Sequence, residues 1–120
     1  MNRLVNAMSG DILIENLIVR ATFWGRFRGL IFHRKLETVS AMLLVATKRV
    51  HTYGMLFPLD LYFFNGSMCL IDSRHRVMPW KLPESPVGTQ HILEIPHGTS
   101  TEPLRLDIGE QVSILWKTRS

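Results

Sequence analysis

The stretch LDLYFFNGSMCLID, Leu59 to Asp72, decides the fold. Two β-prone runs flank Asn65-Gly66, a dipeptide suited to the positive φ angles of a type I′ turn. The spacing predicts a hairpin with strands over 59–64 and 68–72. Alternation places residues 59, 61 and 63 on one face and 60, 62 and 64 on the other, so Asp60 shares a side with Tyr62 and Phe64. A carboxylate there faces solvent or is buried among donors, because burial without them costs several kcal/mol. The candidate donors are amides of the preceding loop, the Thr52 hydroxyl and Arg28, which would make Asp60 a clasp on residues 52–58.

Working outward, ILIENLIV (12–19) reads as one strand, or as two short ones separated at Glu15-Asn16. AMLLVA (41–46), HILEI (91–95) and QVSILW (111–116) are further strands, with HILEI alternating inward and outward residues. In TFWGRFRGLIF, Phe23, Trp24, Phe27, Leu30 and Ile31 recur at helical spacing behind Thr22 as N-cap, and Arg26 and Arg28 lie off the apolar stripe. Residues 74–89, with prolines at 79, 83 and 86, read as one long surface loop, and the first ten residues as a flexible lead-in. The predicted class is α+β, mostly β. It comprises a small antiparallel, partly closed, barrel-like sheet of six or seven short strands with one short amphipathic helix near residues 22–32.

The 120 residues suit one domain, 1–120, and a hydrophobic share of 46% with 20% charged residues is that of an ordinary globular chain. No apolar run approaches the roughly 18 residues of a membrane span, and the N-terminus is a poor secretory signal. A soluble, cytoplasmic protein is the expectation, with a monomer as default. Cys69 is alone, which excludes an internal disulfide and suggests a buried small side chain on a strand. The net charge of +4 is concentrated between residues 20 and 81, which hold ten basic and three acidic side chains. Such a region suits an anion, a nucleic acid or an acidic protein. Nucleic acid is not favoured, since no interleaved aromatic motif accompanies the charges.

The sequence carries no nucleophile elbow, Walker loop or dinucleotide fingerprint. The histidines, at 33, 51, 75, 91 and 97, lack zinc-ligand spacing, so no metal and no cofactor is expected.

Several segments together resemble a known family. They are Thr22 with R-x-R-G-L-x-F (26–32), Met42-Leu43, H-T-x-G-M-x-x-P-L-D-x-x-F (51–63), Pro79-Trp80, L-E-x-P-x-G-T (93–99) and Gly109 with Val112. In this order they resemble the prokaryotic domain of unknown function 192 over about residues 19–115. Glu110 stands where that family usually has aspartate, and Ala41-Met42-Leu43-Leu44 replaces Gly-Met-Leu-Phe. The resemblance implies a small β-rich α+β domain and no defined activity, and its members are often exported.

Three functional readings follow. The favoured one is a non-enzymatic binding or accessory module for a protein or small-molecule ligand, with Arg28, His51, Thr52, Met55, Asp60 and Trp80 as one recognition surface. The alternative is a small hydrolase- or isomerase-like enzyme using Asp60 with His51 or Arg28, and the third is nucleic-acid or anion binding through residues 20–81.

Overall fold

The computed structural model describes residues 2–21, 41–52, 55, 57–98 and 104–117. They form seven strands: β1 (Asn2–Asn6), β2 (Ile12–Ala21), β3 (Ala41–Val45), β4 (Leu59–Phe64), β5 (Leu70–Val77), β6 (His91–Pro96) and β7 (Val112–Leu115). All seven join one sheet in the order β5-β4-β6-β3-β2-β1-β7. The protein is mostly β, and no helix occurs among the described residues. The helix expected near residues 22–32 lies outside them.

Two expectations about the sheet are corrected. It is mixed rather than antiparallel, because β2 and β3 pair in parallel, with Leu17 opposite Ala41 and Ala21 opposite Val45. A parallel pair needs a crossover of about a dozen residues or more, and residues 22–40 supply that length. Nor is the sheet barrel-like and partly closed, as expected; it is open. The outermost strands, β5 and β7, meet only at a corner, through an isolated bridge between Cys69 and Gln111. There Leu70 N–H donates to Glu110 O (3.0 Å) and Val112 N–H to Met68 O (2.9 Å). β7 is only four residues long and cannot follow the eight of β5.

The hairpin forms as expected, but its turn does not. Phe64 pairs with Leu70, leaving Asn65–Cys69 as the loop, and Met68 rather than Asn65 or Gly66 has positive φ (63°). Asn65 Oδ1 accepts hydrogen bonds from Ser67 N (2.9 Å) and Cys69 N (3.0 Å), so its side chain organises a wider turn than type I′. Cys69 sits in this loop, partly exposed rather than buried on a strand. Downstream, β5 runs to Val77, so the strand absorbs Arg74–Val77 and the long loop is correspondingly shorter.

At the N-terminus, Asn2–Asn6 form β1, bonded to β2 on one side and β7 on the other. β2 is one strand with a bulge. Asn2 faces Leu17 while Leu4 faces Ile14, so three residues of β2 span two of β1. The bulge lets Ile14 and Leu17 enter the same apolar cluster, although their spacing fits neither a regular strand nor a turn.

Both faces of the central strands are covered. Leu43, Tyr62, Phe64, Leu93 and Ile95 pack on one face, and Met42, Leu44, Leu59, Leu61, Phe63 and Ile92 on the other. Each large side chain removed from water contributes roughly 1.5–3 kcal/mol. In β6 the outward positions of the expected alternation are therefore buried too, Glu94 included.

Candidate functional site

Thr52 and Trp80 are brought together by a tight set of bonds. Thr52 is fully buried. Its hydroxyl accepts from Lys81 N (2.6 Å) and donates to Met78 O (2.8 Å), while its own N–H donates to Lys81 O (2.8 Å). Its carbonyl accepts from Trp80 N (3.0 Å) and from Met55 N (3.1 Å). One side chain thus clasps the loop that leaves β5. Within it Trp80 adopts φ 64°, a left-handed conformation rarely taken by a bulky residue, and stays 68% exposed. Met78 and Leu82, two residues to either side, are also about half exposed.

The other candidates divide. Met55 is not a surface residue, since it packs in the apolar cluster of Leu59, Leu61 and Phe63. His51 is half-buried next to Thr52 in the chain. Arg28 lies outside the described residues. Asp60 is on the opposite face of β4 from Leu59 and Leu61, as alternation requires, and has a different set of partners.

Those partners come from strand ends far away in sequence. Leu59 pairs with Val77 and Leu61 with Arg74, so His75 and Arg76 together stand opposite Asp60 in a bulge, where Arg76 has φ 53°. The bulge takes Arg76 N–H out of the ladder, and Asp60 Oδ1 accepts it at 2.8 Å. The same oxygen lies 2.9 Å from His97 Nδ1, just beyond β6, and His97 N donates to Pro58 O (2.9 Å). Asp60 is therefore a clasp, but on β5 and the end of β6 rather than on residues 52–58. Its hydrogen bonds go to Arg76 and His97, not to Thr52 or His51.

His75 completes this corner. Its Nδ1 is 3.7 Å from Asp60 Oδ1, its Nε2 is 3.3 Å from Ser73 Oγ, and its ring meets that of Tyr62 edge-on at 5.7 Å. Burial pushes the Tyr62 hydroxyl above its ordinary pKa, with the Asp60 charge adding to the effect and a hydrogen bond from Leu104 N opposing it. Hydroxyl, imidazole and carboxylate stand in the order a nucleophile relay uses. The His75 to Asp60 separation exceeds hydrogen-bond length, however, and Asp60 Oδ1 is already engaged twice, so the contacts organise the bulge. Among the described residues no cluster of His, Cys, Asp and Glu could hold a metal ion.

Sequence reasoning passed over one residue of this region, Glu94. It is fully buried, opposite Met42 on β3 and Leu61 on β4. Its shared parity with Ile92 was a legible sign that it points into an apolar cluster.

Comparison with known proteins places the chain. The model of the family DUF192, described as uncharacterized ACR, COG1430, matches residues 5–114. A UPF0127 protein of Thermococcus sibiricus is 26% identical over 113 residues, which span 91% of this chain and 72% of the relative. Two solved structures share the fold. A protein of unknown function from Novosphingobium aromaticivorans matches with TM-score 0.67 and 16% identity over 93% of this chain and 82% of its own. A protein provisionally described as a transcription regulator, from Sinorhizobium meliloti, matches with TM-score 0.69 and 19% identity over 93% of this chain and 90% of its own. With a family match from Val5 to Ile114 on a mixed seven-stranded sheet, this chain belongs to the DUF192 family of uncharacterised proteins.

Proposed function

We propose that this chain is a non-enzymatic binding module whose recognition element is the Met78–Leu82 loop. The observation that carries the reading is the Thr52 clasp, which holds an exposed tryptophan in a left-handed backbone conformation on an ordered loop. A large aromatic anchor held in place before binding loses little freedom on association, and tryptophan dominates binding hot spots. Met78 and Leu82 extend the apolar surface, while Arg76 and Lys81 flank it with positive charge. That combination fits an acidic protein segment carrying an apolar side chain.

The test is an array of short peptides graded in charge, each with one aromatic or aliphatic anchor, probed with the full chain and with Trp80→Ala. Acidic peptides are expected to bind, and truncation of the anchor to weaken them by at least about thirtyfold, the effect of a hot-spot residue. Equal retention of acidic and basic peptides, or equal binding by Trp80→Ala, would sink the reading. Self-association that depends on Trp80 in sedimentation would replace the partner with a second copy of the chain.

A further inference from the structure

A separate concavity lies between the turn that follows β3 and the last part of the β5–β6 loop, with a volume of about 330 Å³. One wall carries Lys48 and Arg49, and the other Glu84, Ser85 and the turn Pro86–Thr89. Both walls are fastened to the sheet. Ala46 N donates to His91 Nδ1 (3.0 Å) and Thr47 N to Gln90 O (2.7 Å), which fixes the start of the Lys48-Arg49 segment. Opposite, Thr89 N and Thr89 Oγ1 both donate to Pro86 O, and Gly88 takes φ 94°, as the third residue of a type II turn requires. Gln90 N then donates to Phe64 O at 2.8 Å.

The chemistry of the lining selects a ligand. Neither Lys48 nor Arg49 forms an ion pair with a described residue, and Glu84 is the one carboxylate among the described lining residues. Ser85, half-buried on the same wall, keeps its Oγ sealed from solvent with no hydrogen-bond partner among the described residues. Two adjacent cations suit a dianionic oxyanion, with the arginine fork able to bind two oxygens at once. The cavity is at the lower end of the size range for small-molecule sites, roomier than one oxyanion needs, and its far wall offers Glu84 as a hydrogen-bond acceptor. We propose that this cavity binds the phosphate monoester of a small polyol. Lys48 and Arg49 take the phosphate, and Glu84 accepts from a ligand hydroxyl. This site is independent of the Trp80 loop and of any protein partner.

The experiment is an amide-resolved NMR titration of the full chain with glycerol 3-phosphate, inorganic phosphate and glycerol. Glycerol 3-phosphate is expected to saturate shifts at Lys48, Arg49, Gly88 and Thr89 with a Kd of about 10 mM or tighter. The double variant K48A/R49A, which alters exposed side chains, should weaken it about tenfold or more while keeping the native spectrum elsewhere. Glu84→Gln should weaken glycerol 3-phosphate more than inorganic phosphate. Absence of saturable shifts, or shifts unchanged in K48A/R49A, overturns the site. Inorganic phosphate or glycerol binding as tightly as the ester overturns the polyol phosphate as its ligand.

Discussion

Replacing Thr52 by valine tests the element on which the proposed recognition loop depends. Valine keeps the shape and the buried methyl but removes the hydroxyl, so Lys81 N–H and Met78 C=O each lose a partner now at 2.6 and 2.8 Å. An orphaned polar group costs about 1–3 kcal/mol when sealed from water. Met78 and Lys81 are themselves exposed, so water recovers part of this and the lower end of the range applies. A methyl in place of the hydroxyl adds a steric term, because a carbon cannot sit as close to an amide nitrogen as an accepting oxygen does. The expected loss is about 2 kcal/mol, read as a lower urea midpoint at unchanged slope. The loop should respond more than the sheet, with faster amide exchange at Lys81 and Trp80 while β4 and β6 stay protected. Thr52→Ser, which retains the hydroxyl, should recover most of the loss. A change below about 0.5 kcal/mol, with loop exchange as in the parent, would show that Thr52 does not hold the loop.

Phe63→Ala removes a fully buried ring from the cluster of Leu59 and Leu61 and should cost about 3–5 kcal/mol in urea unfolding, whereas a loss under 2 would displace Phe63 from the core. Asp60→Ala leaves the bulge amide of Arg76 without its acceptor and should cost about 1–2 kcal/mol in urea unfolding, with faster amide exchange at Arg76. A neutral Asp60→Ala would mean that the bulge needs no clasp. His91 accepts the Ala46 N–H at Nδ1, and burial lowers its pKa below the ordinary 6.5. The unfolded chain therefore binds this proton more readily, so the His91 contribution to stability is complete above pH 6.5 and is lost as pH falls through the lowered folded pKa. His91→Asn, which offers an acceptor without titrating there, should flatten the acid limb of the stability profile relative to the parent. An unchanged acid limb would refute it. Gly88→Ala introduces a Cβ at φ 94° and should cost about 1 kcal/mol in thermal or urea unfolding, with no change expected only if the turn relaxes.

The parts of the fold legible in sequence are those governed by neighbours. Alternation in LDLYFF assigned Asp60 to the side of Tyr62 and Phe64, and the structure keeps it there. The hairpin after it was equally legible, yet Asn65-Gly66 was read for backbone angles when the Asn65 carboxamide decides the turn. In β2, the break at Glu15-Asn16 was visible, but its meaning as a bulge depends on pairing with β1. Residues 22–40 offered a length cue for the parallel β2–β3 pair that the count of turns outweighed.

Sequence by itself determined the first strand of the hairpin, the existence of its partner and the family. Local periodicity and the order of side chains carry that information without reference to distant parts of the chain. Tertiary structure decided which clasp holds which loop. Thr52 binds a segment 26–29 residues away, and Asp60 reaches 16 residues to Arg76 and 37 to His97. Those meetings follow from the β5-β4-β6 order and the bulge in β5, which bring strand ends together only when these strands have paired.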